Sequence, residues 1–114
     1  MSRHLKFAST APEGVQQLAK LLGSRLRLAR KRRLLTLREA ASRAGIAYDT
    51  ARAAERGNVQ TGLGAYLALA WALGLDAQFA TLLRPEDDAE GTQLELSRAP
   101  RRVRSRKDAE DDEF

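Results

Sequence analysis

Between Thr36 and Gly57 the chain reads TLREAASRAGIAYDTARAAERG, and this stretch limits the fold more than any other. Thr36 can cap a helix, because its hydroxyl can accept from a free backbone N–H of the first turn. Leu37, Ala40, Ala41 and Ala44 follow at helical spacing and make a narrow apolar face. Gly45 then supplies the backbone freedom to end that helix and turn sharply. Ile46 is an apolar plug after the turn. A second helix restarts over Tyr48 to Arg56 with polar side chains outward, and Gly57 closes it. The inner faces are lined with alanine, so the two helices can approach closely.

Two short helices around such a turn have the layout of a helix-turn-helix, a module that lays its second helix in the DNA major groove. The charge distribution agrees with a polyanionic partner. Residues 1–85 hold 14 Lys/Arg against 5 Asp/Glu, and residues 86–114 hold 6 against 10, within a net charge of +5. A basic region is thus followed by an acidic one. The competing reading is a solvated surface that is merely basic.

Other functions lack their residues. There is no cysteine, and the lone histidine is His4, so disulfides, thiolate metal sites and histidine catalysis have nothing to work with. No nucleophile–base pair, metal cluster or phosphate loop is visible. Gly62-Leu63-Gly64 is too short and wrongly flanked for a dinucleotide fingerprint. No enzyme activity, cofactor or metal is therefore expected. Met1 to Phe7 lacks the apolar run of a signal peptide. The apolar stretch Leu63 to Leu75 is too short to span a bilayer. A soluble cytoplasmic protein, associated with the nucleoid, is expected.

Met1 to Ser9 reads as a loose arm. Thr10 to Glu13 fits a capping box with Thr10 as the cap. A helix to about Arg33 follows, with Val15, Leu18, Ala19, Leu22, Leu26 and Ala29 in one stripe. Gly14 and Gly23 weaken it, and a break near Gly23 would make it two helices. Its other face carries Arg25, Arg27, Arg30, Lys31, Arg32 and Arg33, placed to grip phosphates flanking the groove, Arg30 and Arg33 among them. Leu63 to Leu73 is apolar nearly all round, which predicts burial on more than one side. A dimer partner would cover the surplus through Tyr66, Leu69 and Trp71, with ordinary core packing as the alternative. Asp76 can cap a short fifth helix through Gln78, Phe79, Leu82 and Leu83; a strand over residues 77–83 fits less well. Residues 84–88 mark a boundary. Thr92 to Ser97 can form one or two helical turns. The basic run 98–107 and acidic run 108–114 have the composition of an interaction tail or a disordered appendage.

Leu22 to Leu75 resembles the Xre or lambda-repressor-like DNA-binding domain. The resemblance rests on Leu26 and the basic helix end, Thr36, Glu39-Ala40-Ala41, Ala44-Gly45-Ile46, Thr50, Glu55-Arg56-Gly57 and Leu67 to Gly74. Within that family the chain is most similar to HipB-type antitoxins. That match rests on Trp71-Ala72-Leu73-Gly74 and on the tail with Arg101, Arg102, Val103, Arg104 and a final Phe114. The implied fold is all-α: a five-helix domain with an N-terminal helical extension and a flexible charged C-terminal tail. Residues 1–19 would be the arm and the start of helix one, 20–84 the DNA-binding domain, and 85–114 the tail. The implied function is a sequence-specific regulator, an autorepressing antitoxin of a HipA-type kinase. It would bind as a homodimer to a palindromic operator in double-stranded DNA. The alternative is a protein-interaction module whose degenerate motif does not read DNA.

The resemblance also implies residue roles. Tyr48, Asp49 and Arg52 would read base edges, with Arg52 suited to guanine. Thr50, Arg38 and Arg56 would contact phosphates. Glu55 would be structural, paired with Arg43 or Arg38. Arg101, Arg102, Arg104 and Phe114 would hold the partner kinase. Three positions depart from the family pattern. Leu37 replaces a DNA-touching glutamine, Ala47 replaces a capping serine, and Ala51 replaces a large aliphatic, leaving a thinner core under the second helix.

Overall fold

The computed structural model describes residue 7 and residues 9–98, and these contain helices and turns without a strand. The chain is all-α. Helix α1 spans Glu13–Arg32, α2 Leu37–Ala44, α3 Tyr48–Glu55 and α4 Leu63–Ala72. Short 3₁₀ turns cover Asp76–Thr81 and Pro85–Asp87, and α5 spans Ala89–Arg98. The contacts divide the chain into two compact units, Met1–Ala80 and Thr81–Phe114.

In the first unit α1 packs on α3, α2 packs on α3 and α4, and α3 packs on α4. The core is built from Leu26, Ala40, Ala41, Ala51, Ala54, Tyr66, Leu69, Ala70 and Leu73. Leu22, Ala29, Leu35, Leu37 and Ile46 pack around it. All four core residues contributed by α2 and α3 are alanines, so the helix backbones come close rather than being spaced by large side chains. Leu37 is half-buried against this core rather than turned outward.

Helix α1 does not begin or break where the sequence suggests. Ser9 and Thr10 lie in a helical turn closed by Ala11 N–H donating to the Phe7 carbonyl at 2.8 Å. Thr10 therefore is not the cap. Pro12 takes the N-cap position with φ −53° and ψ 146°, and no side chain caps the helix. The helix then runs unbroken through Gly23. A Cβ at Gly23 would lie 2.5 Å from the Ala54 carbonyl oxygen and 2.7 Å from that of Glu55. A penalty in helix propensity is accepted there because α1 and α3 touch backbone to backbone. The apolar stripe is also only partly used. Leu22, Leu26 and Ala29 pack inward, whereas Val15 and Leu18 are exposed.

The turn between α2 and α3 follows the sequence reading. Gly45 adopts φ 72° and ψ 28°, and the Ile46 N–H returns to the Ala41 carbonyl at 3.0 Å. Thr36 caps α2 and does more than expected. Its hydroxyl accepts from the Glu39 N–H at 3.1 Å while its own N–H donates to Glu39 Oε1 at 2.8 Å, a complete capping box. Ala47, at the start of α3, makes no side-chain cap.

Within the second unit, Asp88 starts α5 by accepting from the Gly91 N–H at 2.9 Å through Oδ1. The helix extends over ten residues, longer than the one or two turns predicted, so residues 89–98 are not a formless tail. The fifth helix expected through Leu83 is instead the 3₁₀ turn Asp76–Thr81, and Leu82 and Leu83 are exposed.

Candidate nucleic-acid interface

Helix α3 buries one side and exposes the other. Ala51 and Ala54 are fully enclosed, while Asp49, Arg52 and Arg56 are exposed and Tyr48 and Thr50 are half-buried. The period of the helix makes this division: residues 51 and 54 share the inner face, and 48, 49 and 52 share the outer one. Two contacts fix the ends of α3, and both involve arginines of other helices.

At the C-terminal end, Arg30 of α1 meets Glu55. Its Nε donates to Glu55 Oε2 at 2.7 Å, and its Nη2 donates to Glu55 Oε1 at 2.9 Å. The Nη1 donates to the Leu35 carbonyl at 2.8 Å. The side chains are only 10% and 7% exposed. Hydrogen bonding to Glu55 raises the Arg30 pKa further above its ordinary value. Arg30 is thus corrected from a phosphate grip to a structural residue, because its guanidinium is enclosed and occupied. Glu55 is structural as expected, but its partner is neither Arg43 nor Arg38.

At the N-terminal end, the guanidinium of Arg38 lies over the Tyr48 ring, 4.4 Å from its centroid. This cation–π contact joins the first turns of α2 and α3. Sequence reading placed Arg38 on a phosphate and Tyr48 on a base, and did not see that they touch.

The remaining cations of the α1 run are open to solvent. Arg25, Arg27, Lys31, Arg32 and Arg33 are all exposed along α1 and its end. Arg33 Nη1 also donates to the Ala29 carbonyl at 2.8 Å, satisfying one of the free carbonyls of the last helical turn. Beside α3 lies an open groove of about 420 Å³ lined by Asp49, Thr50, Ala53, Asn58, Gln60, Thr61 and Gly62. Asn58, Gln60 and Thr61 were legible only as a polar loop. Gln60 Nε2 is a buried donor without a hydrogen-bond partner. Tyr66 anchors the loop from below by donating through its hydroxyl to the Asn58 carbonyl at 3.2 Å. Burial pushes that phenol above its usual pKa, opposed by a hydrogen bond with Thr61.

The three residues expected at a dimer contact separate. Tyr66 is 6% exposed and Leu69 1%, so both belong to the core of their own protomer, whereas Trp71 is 62% exposed. Leu69 and Tyr66 are corrected on that ground. Leu67 and Leu63, four and eight residues before Trp71, are exposed on the same side of α4. Arg101, Arg102, Arg104 and Phe114 lie outside the described residues.

No described helix is long and apolar enough to cross a membrane. Among the described residues no group of acidic, histidine or cysteine side chains is placed to hold a metal ion. No family model matches the chain, and neither a curated protein nor a solved structure matches it.

Proposed function

We propose that the chain is a sequence-specific DNA-binding regulator of the lambda-repressor-like helix-turn-helix type. The observation that carries this reading is the division of α3. Its inner face is fixed by the core and its C-terminal end by the Arg30–Glu55 pair, while Asp49 and Arg52 are exposed and Tyr48, half-buried, carries Arg38 over its ring. A helix held against a core with exposed polar side chains near its N-terminus suits base reading in the major groove. The exposed cations Arg33 and Arg56 and the hydroxyl of Thr50 would contact phosphates, which position without specifying. Trp71, with Leu63 and Leu67, supports a homodimer that presents two such helices about 34 Å apart to a palindromic operator.

The test is a gel shift on the DNA upstream of the protein's own gene, against random duplex. Wild type is expected to prefer the upstream duplex, steeply weakened by salt. A Tyr48→Ala, Arg52→Ala double variant is expected to bind both duplexes alike. Equal binding of the two duplexes by the wild type refutes sequence reading.

A second reading is favoured by the same apolar side of α4: an antitoxin or adaptor that holds a HipA-like kinase and does not read DNA. Co-purification with a kinase encoded next to it, without any specific gel shift, would select this reading.

A further inference from the structure

We propose that Arg38 is a base reader rather than a phosphate contact, and that Tyr48 is the platform that aims it at guanine. The inference rests on the DNA-binding reading above and deepens it. Arg38 belongs to α2, but its guanidinium centre sits 4.4 Å from the ring of the first residue of α3. The N-terminal residues of a recognition helix are those that reach base edges. The guanidinium therefore lies at the N-terminal end of α3.

The chemistry of the pair supports guanine. A guanidinium keeps all its N–H donors in its own plane, so one lying over an aromatic ring can still offer them to other acceptors. Among the described residues Arg38 has no carboxylate within ion-pairing distance, so those donors are uncommitted. The contrast with Arg30 is instructive, since that guanidinium spends its donors on Glu55 and the Leu35 carbonyl. A planar fork of free donors, held still by stacking, matches the O6 and N7 acceptors of guanine in the major groove. Stacking also removes rotamer freedom before binding, so less entropy is lost in making the contact.

The experiment is selection from a random duplex library, followed by titration of the selected duplex and single-base variants with fluorescence anisotropy. The wild type is expected to select a guanine in each half-site. Arg38→Met, which keeps the stem over the ring but has no donors, is expected to lose about tenfold of the preference for that guanine and to keep the other positions. Tyr48→Leu is expected to lose the same preference, and the Arg38→Met, Tyr48→Leu pair no more of it than either alone. Tyr48→Phe keeps the ring and keeps the preference, which shows that a loss in Tyr48→Leu is not a general failure to fold. Uniform weakening of every duplex by Arg38→Met, with the salt slope reduced by about one, overturns the proposal in favour of a phosphate contact. An unchanged guanine preference in Tyr48→Leu overturns it by showing that Arg38 acts without the ring. Failure of the wild type to select any sequence overturns the DNA-binding reading itself, an outcome distinct from a selected site that ignores Arg38.

Discussion

The two ends of α3 are held by the same residue type under opposite conditions. Arg30 is enclosed with Glu55 and joined by two hydrogen bonds, while Arg38 rides on Tyr48 at the surface. A buried charge is costly unless every donor is satisfied, so the Arg30 pair acts all-or-none. An exposed cation–π contact contributes little to stability, and its donors remain free. One arginine sets where α3 lies, and the other extends what α3 presents.

The comparison breaks most visibly at Glu55. Glu55→Ala leaves Arg30 charged and buried, and is expected to cost about 3–5 kcal/mol, read as a lower midpoint in urea at unchanged slope. An Arg30→Met, Glu55→Leu double variant is expected to recover most of that loss, because the apolar replacements leave no orphaned charge. No recovery would mean that the pair specifies the packing rather than filling space.

The capping box at the start of α2 gives an intermediate effect. Thr36→Ala is expected to cost about 1 kcal/mol. The Thr36 backbone N–H, and then its hydroxyl, hold the Glu39 carboxyl below its ordinary pKa. A folded-state pKa below the unfolded value means stability that is present above the unfolded value and is lost as pH falls through the folded one. Acid below the usual carboxylate range should therefore loosen α2, and in Glu39→Gln this part of the acid sensitivity should vanish in a thermal melt followed by circular dichroism. The smallest effect is expected at the other end of the comparison. Arg38→Ala should change stability by no more than about 0.5 kcal/mol, as an exposed substitution does. A loss near that of Glu55→Ala would erase the distinction between the two arginines.

The sequence was most legible where structure is local. Thr36, Gly45 and Gly57 each announce a helix end through their own backbone chemistry, and each stands where expected. Tertiary contact decided the rest. Glu55 was assigned to Arg43 or Arg38 by nearness in sequence, yet it pairs with Arg30, 25 residues away. The basic run on α1 gives no sign that one of its six cations faces inward, because that depends on where α3 ends. Gly23 looked like a breaker because propensity was the only visible term; the close approach of α3 was not. Thr10 to Glu13 satisfies the capping pattern, but a preceding helical turn takes the position the cap would need. In the candidate site, helical period made the outward polar side chains of α3 readable, while the roles of Asp49 and Arg52 came from the family resemblance alone. The Arg38–Tyr48 contact was not readable, since the two residues lie on different helices.

Gly23 and Gly57 separate the positions of this chain by their freedom to vary. A side chain at Gly23 would run into the backbone of α3, and one at Gly57, already at φ 74°, would meet the Ala19 carbonyl oxygen at 2.7 Å and the Lys20 backbone. Backbone cannot rotate out of the way as a side chain can, so the spacing between α1 and α3 is closed to substitution at both glycines. Asp49 and Arg52 are exposed on the other side of the same helix. The exposed face of α3 can therefore vary residue by residue while the frame between the two helices stays fixed.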